Sequence, residues 1–421
     1  MPATRIRTMI ATGVLSAGTC LAASAASPAS ATPSTSTDWG PVVTVADQGF
    51  DSLSTVTTDN AMVVAAWTGP SFHNLYLAAR PVGGQWSAPA KIVTSAAGLT
   101  MTKDGNGAWV MWQGFDDVSV LRVASDGAIG APEVIGSSSD PFVSDATIAS
   151  GVKGAVAAAW HTHIGSPARF AYRPSGGDWT SSERVPQKGN IEGLVLGGRG
   201  VAQLLLGRDS PDFRHQEISY LRRSPGRGWS TPETVAKSAN SITVEGNRRG
   251  DLVVGWATAN DDGTFSLMAR YKSAKGDFDE VHLLRETVPR STWVALGIAD
   301  DGSLVSAYRT TDQGDRQLEM TPADSTGVWL EPQTLPLTGS TYDVAVNGAG
   351  DSVITSHDDT GVQLVRCSHG GTCTSAETNR ATGYRNPSTS LSPQGAITLV
   401  WGRGCRTEEC YPNRLVAQRG S

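Results

Sequence analysis

His161 and His163 stand one residue apart in the stretch HTH. On an extended chain that spacing turns both imidazoles to one side, where they can offer two ligands to a metal ion. No third ligand is identifiable from spacing, so two polar loop residues are the plainer reading. Carboxylates recur in adjacent pairs at Asp116 and Asp117, Asp261 and Asp262, and Asp358 and Asp359. Paired acids suit Ca²⁺ or, held several ångströms apart across a sugar, glycoside hydrolysis. No twelve-residue calcium loop surrounds them, and Asp is an ordinary turn residue. Neither G-x-S-x-G, HExxH nor a P-loop occurs. No catalytic residue, metal or other cofactor is therefore assigned.

Other reactive side chains sit in similar polar segments. TGPSFHN holds Phe72 and His73, QGFDD holds Phe115, RDSPDFRHQ holds Asp209, Asp212, Phe213 and Arg214, and RTTDQGDR holds Asp312, Asp315 and Arg316. Gln85, Gln187 and Gln313 lie at turns an enzyme could reach. Ordinary polar turn residues are the alternative.

What must position these segments is a repeat. Arg-Pro-x-Gly-Gly-x-Trp is written twice, from Arg80 and from Arg173. Aligned on the residue that restarts the chain after this corner, the units begin at Trp39, Trp86, Ile129, Trp179, Trp229, Phe278, Trp329 and Cys373. Successive intervals are 47, 43, 50, 50, 49, 51 and 44 residues. A Gly-rich turn precedes a Val-rich run ending in an aromatic at Trp67, Trp112, Trp160, Trp256, Tyr308 and Trp401, with weaker copies ending at Gly207 and His357. Short β-branched runs bounded by Gly, Asn, Asp or Pro read as strands and tight turns, and no helical period is sustained. A unit near 48 residues with four strands has the length of a propeller blade and cannot bury its faces alone.

The fold class is thus all-β: a single propeller of eight four-stranded blades, seven being the alternative count, over residues 39–420. WGPVVTV at Trp39 matches a fourth strand with no first three, and the carboxy-terminal unit supplies three strands with no fourth. Their pairing would close the fold. The Trp at each corner is expected to pack between neighbouring blades, so Trp86→Ala should cost about 3–5 kcal/mol.

Ahead of the repeat, Arg5 and Arg7 precede an apolar run and the small triplet Ala29, Ser30, Ala31, the pattern of a secretory signal over residues 1–31. Residues 32–38 read as a flexible link. Without the leader the net charge moves from -6 to -8, which argues against nucleic acid or an anionic membrane surface as partner. The leader's run is too short for a membrane span. The remaining cysteines form two close pairs, Cys367 with Cys373 and Cys405 with Cys410. Outside the cell two local disulfides are the preferred reading, with a zinc site as the competitor.

The corners PVGGQW, PSGGDW and SPGRGW resemble those of secreted bacterial propellers of the sialidase-like kind. That likeness implies the architecture alone. The Ser and Asp of the Asp-box are missing, and inner strands such as STVTTD, LTMTKD, ATIASG, GLVLGG and DVAVNG offer no arginine triad or Tyr/Glu pair. In overall plan the chain is also similar to secreted propellers of the dispase autolysis-inducing kind, which implies action on a secreted protease and cross-linking by a transglutaminase, with Gln85, Gln187 and Gln313 as the possible acceptors.

The long loops gather on one face and the minimal Gly-rich turns on the other. The leading expectation is therefore a secreted, monomeric, non-enzymatic propeller that binds an extracellular protein through its long-loop face. The alternative is a carbohydrate-binding or carbohydrate-active propeller, of glycoside hydrolase or lyase type, using the aromatic and acidic loop residues.

Overall fold

The second strands of the repeat are buried along nearly their whole length, and this explains their sequence. A strand covered on both faces reads as an unbroken apolar run, as in VVAAWT and GAWVMWQ. First strands are half-covered and rich in Thr, Ser, Ala and Gly, as in SLSTVT. Fourth strands alternate, as in QTLPLT, with buried residues between exposed ones. Each sheet thus grades from a small-residue edge through an apolar middle to a polar rim.

A computed structural model describes residues 39–47, 50, 52–69, 74–137, 146–163, 165–211, 214–290, 292–310, 317–339, 341–358, 361–379, 385–403 and 414–420. The expected leader and link, Phe72, His73, Asp212, Phe213, Asp312, Gln313, Asp315, Arg316, Asp359, Cys405 and Cys410 lie outside the described residues.

The chain opens with β1 (Val43–Ala46) and then runs through antiparallel sheets in sequence order. The first unit is β2 (Ser52–Thr57), β3 (Val63–Thr68), β4 (Leu75–Arg80) and β5 (Ala90–Val93). The second is β6 (Ala97–Asp104), β7 (Gly107–Gln113), β8 (Asp117–Val123) and β9 (Glu133–Ser137). The third is β10 (Ala146–Ser150), β11 (Val156–Trp160), β12 (Arg169–Arg173) and β13 (Glu183–Arg184).

The fourth and fifth units are fused into one eight-stranded sheet: β14 (Asn190–Leu196), β15 (Ala202–Asp209), β16 (Gln216–Ser224), β17 (Gly228–Trp229), β18 (Glu233–Gly246), β19 (Leu252–Ala259), β20 (Phe265–Lys272) and β21 (His282–Val288). The long strand β18 makes the join. Its first half pairs with β16, and from Asn240 it pairs with β19. Ser241 at the changeover has φ 50°.

The sixth unit is β22 (Val294–Ile298), β23 (Leu304–Arg309), β24 (Gln317–Ala323) and β25 (Gln333–Thr338). The seventh is β26 (Thr341–Val346), β27 (Ser352–Asp358), β28 (Gly361–Cys367) and β29 (Glu377–Asn379). The last sheet holds β30 (Arg385–Leu391), β31 (Ile397–Arg403) and β32 (Arg414–Gly420), and β1 completes it. Val43 lies opposite Ala417, and Trp39 opposite Gly420. The pairing of the two ends expected from the sequence is present. A 3-10 turn at Val152–Gly154 is the one helical piece among the described residues, and none of their helices is long and apolar enough to cross a membrane.

First strands of successive units lie side by side: β2 with β6, β6 with β10, β10 with β14, β14 with β18, β18 with β22, β22 with β26, β26 with β30, and β30 with β2. The core lies between sheets. Ala157 and Ala159 of the third unit pack on Leu194 and Leu204 of the fourth, and Trp67 of the first packs with Val400 and Leu415 of the terminal sheet. Burying roughly 200 Å² of such a ring at about 25 cal/mol per Å² contributes about 5 kcal/mol before ordering costs. Shape is matched locally. A Cβ on Gly136 would stand 2.2 Å from Cζ2 of Trp160, so only a glycine lets β9 approach that indole.

The corners behave as read. Gly83 and Gly176 take φ of 68° and 69°, and Gly84 and Gly177 donate their N–H to Pro81 and Pro174. The aromatic that follows meets the preceding unit: Trp179 edge-on to Trp109, Trp229 to Phe170, Phe278 to Tyr220, and Trp329 stacked on His282. These corner Trp rings are half-buried, whereas Trp67, Trp112, Trp160 and Trp401 are fully buried.

Candidate functional site

Two of the Gly-rich turns carry the same device, Asn-x-x-Gly-Asp. The side-chain Oδ1 of Asn247 accepts from the N–H groups of Arg249, Gly250 and Asp251. Its Nδ2 donates to Asp251 and, at 2.8 Å, to the carbonyl of Ala299 in the next unit. Asn347 repeats this with Ala349, Asp351 and the Ser392 carbonyl. An amide that closes its own turn and also grips the neighbouring turn fixes the strand leading into it. The strands so fixed are β18 and β26.

Each of them carries an acid where the other units carry small or apolar residues. Glu245 precedes Asn247 by two positions, and Asp343 precedes Asn347 by four. Both side chains are exposed to solvent by accessible surface, although neighbouring protein crowds them closely enough to desolvate their charge. Burial pushes the Glu245 carboxyl up to about 7, with the charge of Asp343 adding to the rise. Burial likewise lifts Asp343 to about 6, against the N–H groups of Val344 and Thr389, which favour its anion.

Glu245 opens on a cavity of about 390 Å³ between the first strands. Thr100, Thr102, Thr147, Ser150, Asn247 and Asn347 give it a hydroxyl and amide lining. The strand ends that form it lead into the Gly-rich turns, so the cavity lies toward the face with minimal loops. At this end Arg248 of the fifth unit ion-pairs with Asp59 of the first, and its Nη2 stands 3.0 Å from Asp300 of the sixth. Lys103 of the second unit is 3.5 Å from Asp59. Burial works against the Arg248 charge, but the hydrogen bonds and charges of Asp59 and Asp300 outweigh it and hold the guanidinium protonated. A bar of alternating charges therefore ties four units together beside the cavity.

The long-loop residues are placed differently. His161 is buried, its Nδ1 2.7 Å from the Ser166 carbonyl, while His163 is exposed. The chain leaves β11 at Trp160, so the extended geometry that would align the two rings is not adopted. Among the described residues no group of three His, Cys, Asp or Glu is placed to hold a metal. Phe115 and Asp116 are exposed, and Asp117 closes a turn through its carbonyl to the Gly114 N–H. Asp209 accepts from Gln216 at 3.0 Å, and Asp262 accepts from the Thr264 N–H at 2.9 Å. Asp261 and Arg214 are exposed, and Asp358 ends β27. Gln85 is exposed and Gln187 half-buried. Cys367 and Cys373 form a disulfide, as the spacing predicted.

The sequence reading passed over Glu245 and Asp343 because it classed the inner strands as small and apolar. The usable signal was a lone acid inside a run otherwise without charge, in SITVEG and TYDVAV.

No family model matches the chain, and no curated protein matches it. Solved structures of similar fold exist. A polysaccharide lyase, Uly1, is 10% identical with a TM-score of 0.49, covering 76% of this chain and 89% of its own. A Ulvanlyase of a new polysaccharide lyase family, bound to -[GlcA(1-4)Rha3S]-, is 11% identical with a TM-score of 0.48, covering 82% and 97%. An alpha-L-arabinofuranosidase from Fusarium graminearum is 11% identical with a TM-score of 0.40, covering 67% and 93%.

These are likenesses of fold, and they correct the leading expectation. The polysaccharide lyases and the arabinofuranosidase are carbohydrate-active, which favours the alternative reading over a non-enzymatic protein binder. The polar cavity also lies toward the minimal turns instead of the long-loop face. Neither the described side chains nor these folds support a protease partner or the dispase autolysis-inducing resemblance.

Proposed function

We propose that this chain is a secreted, carbohydrate-active propeller that binds a glycan in the cavity between its first strands. Glu245 acts as general acid and Asp343 as its partner base. One observation carries the reading: Glu245 opens on a hydroxyl-lined cavity with its proton affinity raised by burial and by the charge of Asp343, and both acids stand on strands fixed by matched Asn-x-x-Gly-Asp turns. Near pH 6 to 7 the higher group keeps its proton and the lower one gives it up, the division of labour that sugar cleavage or elimination needs. Thr, Ser and Asn lining groups suit sugar hydroxyls. In the same reading the eight sets of strands are blades of one closed propeller. The neighbour relations of the first strands, returning from β30 to β2, support this.

Incubating the purified protein with neutral and acidic oligosaccharides tests the proposal, with products read as new reducing ends or unsaturated sugars. Turnover should occur with at least one class and fall about 10²–10⁴-fold in Glu245→Gln. A panel showing neither binding nor product would remove the reading.

A further inference from the structure

Four units place a cation in one register, at the end of the third strand. Arg80, Arg173, Arg223 and Lys272 lie opposite Val63, Val156, Ala202 and Leu252. In three of them the cation meets a partner in the preceding unit. Arg173 lies over Trp109, Arg223 lies over Phe170 and ion-pairs with Glu183, and Lys272 lies over Tyr220. Arg80 departs from the pattern. The sheet before it is the terminal one, and the charge it meets there is that of Arg419.

Around these two arginines is a groove of about 430 Å³. Trp86, Pro41, Val43 and Ala417 form its apolar wall, and Gln85 adds an amide. The described residues lining it include no acid. Arg80 donates its Nε to the Gly84 carbonyl at 3.2 Å, and among the described residues lining the groove no carboxylate balances its charge. Burial, and then Arg419, lower the proton affinity of Arg80. Like charges collected in a half-covered groove favour an anion, and guanidinium forks match a carboxylate in geometry. An apolar wall with an indole beside that anion site suits the C–H face of a pyranose.

We propose that this groove binds a uronic acid residue of an acidic polysaccharide, with Arg80 and Arg419 on the carboxylate and Trp86 against the sugar ring. The site is separate from the Glu245 cavity and goes beyond the function proposed for it.

Calorimetric titration of the full chain carrying Glu245→Gln, which suppresses turnover, tests this with trigalacturonate, a neutral trisaccharide and inorganic sulfate as probes. Trigalacturonate should bind. Its affinity should fall at least about tenfold in Arg80→Gln or Arg419→Gln and be lost in the double variant. It should weaken about fivefold in Trp86→Ala. Each Arg→Gln change removes a like-charge contact, so the variants should melt no lower than the parent without ligand. Trigalacturonate should raise the melting temperature of the parent and not of the double variant. Equal binding by parent and double variant, equal binding of the neutral trisaccharide, or sulfate binding as tightly as the uronate would each overturn the proposal. With Glu245 restored, the double variant keeps whatever turnover the cavity has, so this site and the cavity fail independently.

Discussion

Glu245 and Asp343 hold their protons more tightly in the folded chain than an ordinary carboxylate does. Between the usual carboxylate range and about 7 the native state therefore binds more protons than the unfolded one. The stability they contribute is complete below that range and is lost as pH rises through about 6 and about 7. Melting temperature should fall across this window, and Glu245→Gln with Asp343→Asn should flatten the fall. Any activity should show a bell-shaped profile with limbs set by the same pair. Lone acids of this kind are hard to read from sequence. At the position of Glu245, two before the turn, the other units carry residues such as Ala149, Val195, Gly297, Ala345 and Ser390. Averaging over repeats brings out the scaffold and hides the exception. The loop acids attract notice because turns are acidic everywhere, yet Asp262 and Asp209 bond within their own hairpins.

At the scale of strands and corners the sequence was most legible, because each signal has a local cause. Gly-Gly took the positive φ, the Val-rich runs became doubly buried strands, and the restart residues pair with the ends of the third strands, as Phe278 does with Lys272 and Trp329 with Ala323. Burial depth was less legible. The corner Trp rings lie across the joint between units at the rim, so they remain half-covered. Trp86→Ala should accordingly cost about 2 kcal/mol, below the range expected of a fully buried ring, while Trp67→Ala should reach about 3–5 kcal/mol. Gly136→Ala should destabilise by about 1–3 kcal/mol by driving a methyl into Trp160. Denaturant midpoints would rank the three. Breaking the short Cys367–Cys373 loop with serines should cost about 2 kcal/mol. The fusion through β18 was not foreseen. A strand that passes from one unit to the next without a loop leaves no turn residue to mark the boundary.

Across the whole molecule, the joint between the chain's ends decides whether the terminal sheet is complete. Deleting residues 39–46 should strip β32 of its neighbour, expose Leu415 and Ala417, and leave a free edge. A lowered melting temperature with concentration-dependent association in light scattering is the expected result, and a monomer that melts like the parent would refute it. The joint also sets a timetable for biosynthesis. Val43 leaves the ribosome long before its partner Ala417 is made. At about 5–20 residues per second the opening strand waits roughly 20–75 s with its hydrogen-bonding groups uncommitted. During that interval a nascent chain has a vacancy that a β32 segment from another copy could fill, so crowded translation should favour exchanged dimers over aggregates of random register.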